Sequence, residues 1–420
     1  WQQIYLSAIR YSNYGTATAP HYLVNVVFHY ETRKDAFSSR RAGFEIRTTR
    51  LCREIEVSID TGTKEVTRRY TLEYDEAPFN HNALLTHFIV TGYAGELTER
   101  MPALEFAYTQ FAPGVQKFLA LSGQDQPAGS LAHPDYELAD VDGNGLPDFL
   151  SIDGTAYYWR NLGGGKLDAR RQLPMIPAGI RLQDPGAQLI DADGDGHIDL
   201  MVFNERFAGY YPLAAQQQPE QRSFQPYRVA PSIDLKDPEV RLVDLTGNGV
   251  TDALRTGTRL ECFFSDPIQG WNDVRAVPRR ALDAFPNVNF SDPRIQLASM
   301  TGDTLQDIVF LSSGHVEYWP SLGYGNWGSR IIMANSPRFP YGYDPQRVLL
   351  GDVDGDGVAD LVYVGDQQVS LWINQNGNSW SEEIIIRGTP PAADANALRL
   401  ADLLGTGVSG VLWSAPANGT

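Results

Sequence analysis

The chain has 420 residues, of which 42% are hydrophobic and 20% charged, so its composition is that of a folded protein and excludes a disordered one. The length excludes a single small domain and predicts two domains or one long repeat array. No run approaches the roughly 18 apolar residues of a membrane span, and the net charge of −17 argues against nucleic acid or an anionic membrane as partner.

The start of the chain and its cysteines carry little functional signal. Residues Trp1 to Tyr5 lack the charged start and apolar core of a signal peptide, so we expect the sequence to be an internal piece of a longer product. Cys52 and Cys262 lie in no CxxC or Cys/His cluster of the kind that holds zinc. Both are expected to be buried thiols.

Residues 1–118 are predicted to form a separate antiparallel β domain. The segment contains short stretches rich in β-branched and aromatic residues, separated by Gly, Asn or Pro turns. The predicted strands are 21–30, 44–51, 54–59, 66–74, 84–90 and 104–108. None of the aspartate-rich loops described below occurs here.

Three sequences that resemble catalytic motifs are better explained as structure. Asp60-Thr-Gly falls between two strands where a hairpin turn is needed, and no second Asp-Thr-Gly accompanies it. Glu54 and Glu56 share one face of a strand but lack the partner motif of an ADP-ribosyltransferase, so we expect a solvated face balanced by Arg53 or Arg68. The glycine run ending at Lys166 lacks the Ser/Thr of a phosphate loop. We therefore expect no enzymatic activity.

A repeat with a period near 52 residues dominates the rest of the chain. Six related nine-residue segments begin at Asp140, Asp191, Asp244, Ser299, Asp352 and Asp402. Each runs into a short apolar stretch typical of a buried strand, and an aromatic strand with a Gly/Asn turn follows in several repeats. These segments hold 16 of the 51 acidic residues and no Lys or Arg, so the acidity of the chain belongs to the repeated loop.

The repeat predicts an all-β fold in which residues 119–420 form a β-propeller of about six blades. A unit of roughly 52 residues accommodates the four short strands of one blade. Few residues follow Asp402, so we expect strands that precede the first motif to complete the last blade. A linear β-solenoid is the alternative, but its coils are usually shorter and it needs capping segments.

Three of the loops carry the pattern of a calcium-binding loop. In Asp-x-Asp-Gly-Asn/Asp-Gly-x-x-Asp, positions 1, 3, 5 and 9 offer side-chain oxygens and position 7 offers its backbone carbonyl, which suits Ca²⁺. The candidate ligands are Asp140, Asp142, Asn144, Leu146 and Asp148 in the first loop, Asp191, Asp193, Asp195, His197 and Asp199 in the second, and Asp352, Asp354, Asp356, Val358 and Asp360 in the fifth. Any bound ion is expected to be structural.

The other loops weaken the pattern and leave an alternative open. Thr246 replaces one Asp in the third loop, and Leu404 and Gly410 offer no carboxylate in the sixth. The turn can therefore form in loops that lack a full set of calcium ligands. The loops can equally be Asx-type turns in which Asp side chains accept backbone hydrogen bonds.

Particular strings of residues resemble a known family. The string from Phe37 to Ile55, with Leu72–Tyr74 and Pro102–Phe106, looks like the segment that leads into the propeller of the B component of bacterial insecticidal toxin complexes, the SpvB-like family. Val316–Gly325 and Leu400–Gly407 are similar to the FG-GAP/VCBS blades of those proteins. The resemblance covers essentially the whole chain, and the N-terminal string is its more specific part.

The resemblance implies a non-enzymatic role in a secreted toxin. In that family the B component joins a C component to form a hollow shell around a toxic enzyme, and the propeller closes the shell and docks onto the pore-forming A component. Docking opens the gate for translocation. By this resemblance the chain corresponds to the docking and gating portion, without a membrane span of its own.

A free-standing propeller lectin or adhesin is the alternative from another class. In such a protein, pockets between blades hold glycans against aromatic side chains, and Trp159, Trp319 and Trp372 recur at equivalent strand positions. Packing between blades also requires large rings at these positions. We expect the three tryptophans to belong to the core.

Overall fold

The computed structural model describes residues 3–115, 118–204, 207–214, 223–277 and 286–415. Over these ranges the chain is almost entirely β-structure, as predicted. The helical elements in the described ranges are three single 3-10 turns, at Pro113–Val115, Pro345–Arg347 and Ala395–Ala397. No described helix has the length and apolar character needed to cross a lipid bilayer.

The N-terminal part forms one antiparallel sheet in which consecutive strands pair in the order β1 to β6, and β7 pairs with β5. The strands are β1 (Ala8–Asn13), β2 (Tyr22–Ser39), β3 (Ile46–Asp60), β4 (Lys64–Glu76), β5 (Ala83–Ala94), β6 (Leu97–Arg100) and β7 (Leu104–Glu105). β3 joins two strands that were predicted separately. Their junction is a bulge, since His29 pairs with Glu54 and Tyr30 with Cys52, which leaves Arg53 as the extra residue.

Five sheets of the propeller follow, and each begins a strand or two before an aspartate loop. The first contains β8 (Ser122–Gly123), β9 (Tyr136–Ala139), β10 (Asp148–Ile152), β11 (Ala156–Asn161) and β12 (Lys166–Gln172). The second contains β13 (Ala187–Ile190), β14 (Asp199–Phe203), β15 (Ala208–Pro212) and β16 (Gln225–Pro226). The third contains β17 (Val240–Val243), β18 (Asp252–Arg255), β19 (Glu261–Asp266) and β20 (Gly270–Ala276).

The remaining strands complete the ring. The fourth sheet contains β21 (Ile295–Ala298), β22 (Asp307–Ser312), β23 (His315–Trp319) and β24 (Ile331–Ile332). The fifth contains β25 (Val348–Gly351), β26 (Asp360–Val364), β27 (Gln368–Trp372) and β30 (Ile384–Arg387), with a small hairpin of β28 (Asn374–Gln375) and β29 (Ser379–Trp380). The sixth repeat supplies β31 (Leu398–Ala401) and β32 (Gly410–Trp413).

The prediction of about six complete blades is therefore slightly off. Five repeats form sheets of four or five strands, and the sixth forms a sheet of two strands among the described residues. The expected completion of the last blade by preceding strands is wrong, because β8 pairs in parallel with β12 of the first sheet. Among the described residues, the segment before the first motif contacts the end of the chain through Phe118, which meets the edge of Trp413, and through Leu131, whose N–H donates to Ser414 Oγ at 2.9 Å.

The two-stranded sixth sheet nevertheless closes the ring between the fifth and first blades. Leu403 and Leu412 share a buried cluster with Phe149 and Trp159 of the first blade. Arg399 forms an ion pair with Glu137, with 3.3 Å between Nε and Oε1. The second strand of a blade is buried on both faces between its neighbours, and all five residues of β10 and of β26 are buried. This explains why most residues of these strands after the initial aspartate are apolar and why they do not alternate with exposed polar residues.

Candidate functional site

The first aspartate of each motif folds the loop around its own carboxylate. In the second loop, Asp191 Oδ1 accepts the backbone N–H of Gly194 at 2.7 Å and Oδ2 accepts that of Gly196 at 3.0 Å. Both glycines have positive φ angles, +79° and +83°, which L side chains rarely adopt. The same pair of hydrogen bonds recurs at Asp140, Asp244, Asp352 and Asp402. These five loops therefore contain Asx-type turns, an arrangement that leaves the prediction of calcium binding open.

The last aspartate of the motif is a buried clamp between the loop and two strands. Asp360 Oδ2 accepts the N–H of Val353 at 3.0 Å, and its Oδ1 accepts that of Asn374 at 2.8 Å. Asp148, Asp252 and Asp307 bind the equivalent two groups in their own blades. Burial raises the pKa of Asp252 to about 6 and that of Asp307 to about 7, although the donated N–H groups oppose this.

Successive loops contact each other around one face of the propeller. The residue at position 7 of a loop packs on the glycine at position 4 of the preceding loop, so that a methyl group on Gly355 would lie 3.1 Å from Val408 Cγ1. The same relation joins His197 to Gly143, Val250 to Gly194, Val358 to Gly302 and Leu146 to Gly405. The last of these contacts joins the sixth loop to the first and so closes the circle.

The circle of loop contacts is broken between the third and fourth repeats. Among the described residues, no heavy atom beyond the two chain neighbours of Gly247 lies within 4 Å of the point where Gly247 would carry a methyl group. A cavity of about 650 Å³ opens at this place, lined by Leu242, Asp244 and Gly247 on one side and by Leu297 and Leu305 on the other. The fourth loop is the one with Thr304 in place of the second glycine, and Thr304 has a φ of +69°.

In the first of the three predicted calcium loops, an arginine side chain supplies a positive charge. The side chain of Arg160 forms an ion pair with Asp142, with 2.5 Å between Nε and Oδ2. The Asn144 amide also contacts Asp142, and Asn144 Oδ1 accepts the N–H of Leu146. Arg160 thus neutralises a carboxylate that a metal ion would otherwise use, a feature that the loop motif alone does not reveal.

The second and fifth loops bring their carboxylates together in a way that fits a divalent cation. Asp191, Asp193 and Asp199 each place one oxygen within 4.8 Å of the others, and Asp352, Asp354 and Asp356 do the same. Burial raises the pKa of Asp199 to about 8 and, with repulsion from Asp195 and Asp191, raises that of Asp193. Carboxylates under such mutual repulsion are stabilised by a bound cation.

The N-terminal sheet binds to the fifth loop. Asn80, in the turn between β4 and β5, donates from Nδ2 to Asp354 Oδ2 at 2.9 Å and to Asp356 Oδ2 at 3.1 Å. Asn82 Nδ2 donates to the same oxygen of Asp356 at 3.1 Å. Two candidate calcium ligands are therefore also part of the contact between the two parts of the chain.

The fourth loop, which has no complete ligand set, is bound by the N-terminal sheet through two arginines. The backbone N–H of Arg40 donates to Asp303 Oδ2 at 2.7 Å, and Arg41 Nε donates to the Asp303 carbonyl at 2.6 Å. Arg41 Nη2 also donates to Thr304 Oγ1 at 2.6 Å. The sequence did not predict this contact, because nothing in a loop motif specifies a partner more than 250 residues away.

The resemblances to catalytic motifs have structural explanations. Asp60 Oδ1 accepts the N–H of Gly62 in the hairpin turn between β3 and β4. Glu54 and Glu56 pair with Arg69, and Glu56 also pairs with Lys64, so the predicted partners Arg53 and Arg68 were wrong. Arg53 instead pairs with Glu31. The bulge at Arg53 could not be read from the alternation of residues alone.

The cysteines and recurring tryptophans are mainly core residues. Cys262 is buried, as predicted, whereas Cys52 is half-buried. Trp159, Trp319 and Trp372 expose only 4%, 6% and 5% of their surfaces. Their faces lie in the clusters between blades and are not available as platforms for a sugar ring.

Comparisons with known proteins agree with this architecture. The model of the FG-GAP-like repeat matches residues 140–202, 300–363 and 352–413, ranges that begin at or beside the first, fourth and fifth aspartate loops. The model named Salmonella virulence plasmid 65kDa B protein, SpvB, matches residues 11–57 in the N-terminal sheet. No curated protein sequence matches the chain. The chain thus joins an SpvB-like segment to a propeller of FG-GAP-like repeats.

Solved structures place the same combination in a toxin complex. The structure of the Tc holotoxin pore of Photorhabdus luminescens, with a substitution in TccC3, is 25% identical with a TM-score of 0.78 and matches 99% of this chain. The crystal structure of TcdB2-TccC3 is 24% identical with a TM-score of 0.61 over 99% of the chain, and that of TcdB2-TccC3-Cdc42 has a TM-score of 0.63. The chain spans only about a fifth of the matched chains, 21% to 22%. The resemblance to the B component of toxin complexes is confirmed.

Proposed function

We propose that this chain is the part of a toxin-complex B component that closes the toxin-containing shell, docks onto the pore-forming A component and acts as the gate for translocation. The observation that carries the proposal is the similarity of 99% of the chain to part of a Tc holotoxin pore, with a TM-score of 0.78. The role is non-enzymatic. The partners are the A and C components, and the protein is secreted with them.

The ring of blades and the attachment of the N-terminal sheet to it support a gating role. A propeller surrounds an axial channel, and here the ring is closed by the contact of the sixth loop with the first. The N-terminal sheet is fixed to two loops on one face of the ring through Arg40, Arg41, Asn80 and Asn82. Such an attachment holds the ring in a defined orientation on the rest of a larger assembly.

Binding of this chain to a pore-forming A component tests the proposal. The immobilised chain is exposed to a purified A component in biolayer interferometry, and a glycan array is probed with the same chain in parallel. We expect saturable binding to the A component and no glycan signal. Absence of binding to A components, together with saturable binding to a defined glycan, would refute the proposal and favour the lectin.

We further propose that Ca²⁺ binds the second and fifth loops in a structural role. The carboxylate clusters of Asp191, Asp193 and Asp199 and of Asp352, Asp354 and Asp356 are suited to a hard cation. In the first loop the ion pair with Arg160 competes with the metal for Asp142. In the fifth loop the side-chain N–H groups of Asn80 and Asn82 donate to Asp354 and Asp356, so the ion and the N-terminal sheet use the same two carboxylates.

A further inference from the structure

The turn between β4 and β5 places two asparagine amides on the fifth aspartate loop. Asn80 exposes only 9% of its surface. Its Nδ2 donates to both Asp354 Oδ2 and Asp356 Oδ2, at 2.9 and 3.1 Å. Asn82 Nδ2 donates to the same oxygen of Asp356 at 3.1 Å. One amide nitrogen is therefore shared by two carboxylates, and one carboxylate oxygen accepts from two amides.

Both amides are held with their nitrogens towards the loop, because their oxygens bind elsewhere. Asn80 Oδ1 accepts the backbone N–H of Asn82 at 3.0 Å, and Asn82 Oδ1 accepts Asn376 Nδ2 at 2.7 Å. An amide rotated to present its oxygen to the loop would lose these hydrogen bonds. The sheet therefore offers the loop N–H donors, which a metal ion cannot use as ligands.

The carboxylate oxygens that face these amides are already engaged by N–H groups. Asp356 Oδ1 accepts the backbone N–H of Val358 at 2.9 Å, and Asp354 Oδ1 accepts that of Asp356 at 3.2 Å. A carboxylate has about four lone-pair sites. Asp356 uses three of them for N–H donors, two of which belong to the sheet. A calcium ion needs several oxygens at about 2.3–2.6 Å, and the positive end of each N–H group repels it.

Among the described residues, no basic side chain forms an ion pair with the carboxylates that gather in the fifth loop. In the first loop Arg160 supplies a positive charge. The charges that act on Asp354 and Asp356 are those of neighbouring aspartates such as Asp352. The amides of the sheet stabilise these carboxylates as neutral donors, whereas a divalent cation attracts them more strongly. A cation that displaces the amides therefore gains the attraction of three carboxylates.

The N-terminal sheet has a second attachment that shares no candidate calcium ligand. Arg40 and Arg41 bind Asp303 and Thr304 of the fourth loop, in which Ser299 replaces the first aspartate of the motif. Loss of the contact with the fifth loop therefore leaves the sheet bound to the propeller through the fourth.

We infer that Asn80 and Asn82 compete with calcium for the fifth loop, so that the N-terminal sheet and the ion exclude each other there. The inference rests on the proposed calcium site and adds its regulation. By thermodynamic linkage, the sheet lowers the calcium affinity of the loop by the same factor by which calcium weakens the contact with the sheet. The contact of the sheet with the fifth blade thus depends on the concentration of free calcium.

Calorimetric titration of the full 420-residue chain with calcium, after removal of metal by chelator, tests the competition. An Asp193→Asn background weakens the second loop, so that the fifth loop dominates the signal. We expect the added pair Asn80→Ala and Asn82→Ala to bind calcium at least about tenfold more tightly than the background, because a hydrogen bond to a charged group is worth about that factor. Asn378→Ala is the matched control, since its amide donates to the Ala36 carbonyl in the same contact and should leave the affinity close to that of the background.

Hydrogen exchange of the wild-type chain in calcium and in chelator measures the reciprocal effect. The backbone N–H of Asn82 binds Asn80 Oδ1 and reports on the contact with the fifth loop, whereas that of Arg40 binds Asp303 Oδ2 and reports on the fourth. We expect saturating calcium to speed exchange at Asn82 by about tenfold and to leave Arg40 unchanged. This measurement needs no substitution, and Asn82→Ala alone serves in the titration if Asn80→Ala fails to fold.

Several outcomes would overturn the inference. Equal calcium affinities with and without the two amides would show that the ion and the sheet do not compete. Weaker binding without the amides, or slower exchange at Asn82 in calcium, would show that the sheet helps to hold the ion. A gain in affinity that survives Asp354→Asn would place the ion elsewhere. Absence of calcium binding by every variant would refute the proposed calcium site as well, whereas docking onto an A component is measured separately by interferometry.

Discussion

Replacement of Asp360 by alanine tests whether the last aspartate of the motif is a structural clamp. The side chain is fully buried and accepts the N–H groups of Val353 and Asn374. Alanine removes the acceptor and provides no substitute. The loop and the end of the third strand of the blade would each keep a buried N–H group without a partner.

The expected loss follows from these two groups. A buried N–H left without an acceptor costs about 1–3 kcal/mol, so the two together cost about 2–6 kcal/mol. Part of this is offset because burial raises the pKa of Asp360 well above its ordinary range, which means that the carboxylate is itself poorly solvated in the fold. We expect a net decrease of about 2–4 kcal/mol in the free energy of unfolding.

Urea unfolding followed by tryptophan fluorescence measures the change. Trp372 and Trp380 expose 5% and 1% of their surfaces in the same region and report on this blade. The control is Asp366→Ala, because Asp366 is 78% exposed and pairs only at the surface with Arg347. We expect less than about 0.5 kcal/mol from the control. A loss of that size for Asp360→Ala would refute the clamp.

Three further predictions concern pH, metal and the contact between the two parts. Burial raises the pKa of Asp252 to about 6 and that of Asp307 to about 7, so the folded state binds more protons than the unfolded state. In chelator, the melting temperature should therefore rise as the pH falls from about 8 to about 5, and the slope should be smaller in Asp307→Asn. A melting temperature that falls over this range would contradict the prediction. Calcium at about 100 times its dissociation constant should raise the free energy of unfolding by about 2.7 kcal/mol relative to chelator. Asp193→Asn should reduce this stabilisation, and Asp142→Asn should leave most of it. Equal midpoints of thermal unfolding in calcium and in chelator would exclude the metal. Asp303→Ala should speed amide hydrogen exchange at Arg40 by about tenfold or more, whereas an unchanged rate would show that Asp303 does not hold the N-terminal sheet.

The periodic features of the sequence predicted most of the fold. The spacing of the loops gave the number of repeats, and the apolar stretches after them gave the second strands, because each depends on residues close in the chain. The number of complete blades could not be obtained in this way. It depends on where the two-residue strand Ser122–Gly123 pairs, and so short a strand carries no pattern that distinguishes the first sheet from the last.

In the candidate site, too, contacts within a loop could be predicted and contacts with distant residues could not. The turns at Asp191 and Asp352 follow from the motif, since each aspartate binds N–H groups of its own loop. Arg160 beside Asp142 lies on another strand, and Asn80 beside Asp354 lies in a turn of the N-terminal sheet, so no pattern within the loop predicts these contacts. The calcium ligands and the domain boundary near residue 118 stay predictions.

An electron cryomicroscopy reconstruction of the full-length protein that contains this chain, mixed with a C component and a pore-forming A component, tests the central claim most directly. The account predicts a complex in which the propeller lies at the mouth of the A component, with its axis continuous with the pore and the first strands of its blades around the passage. A complex that contacts the A component through another region, with the propeller away from the pore, would contradict the account.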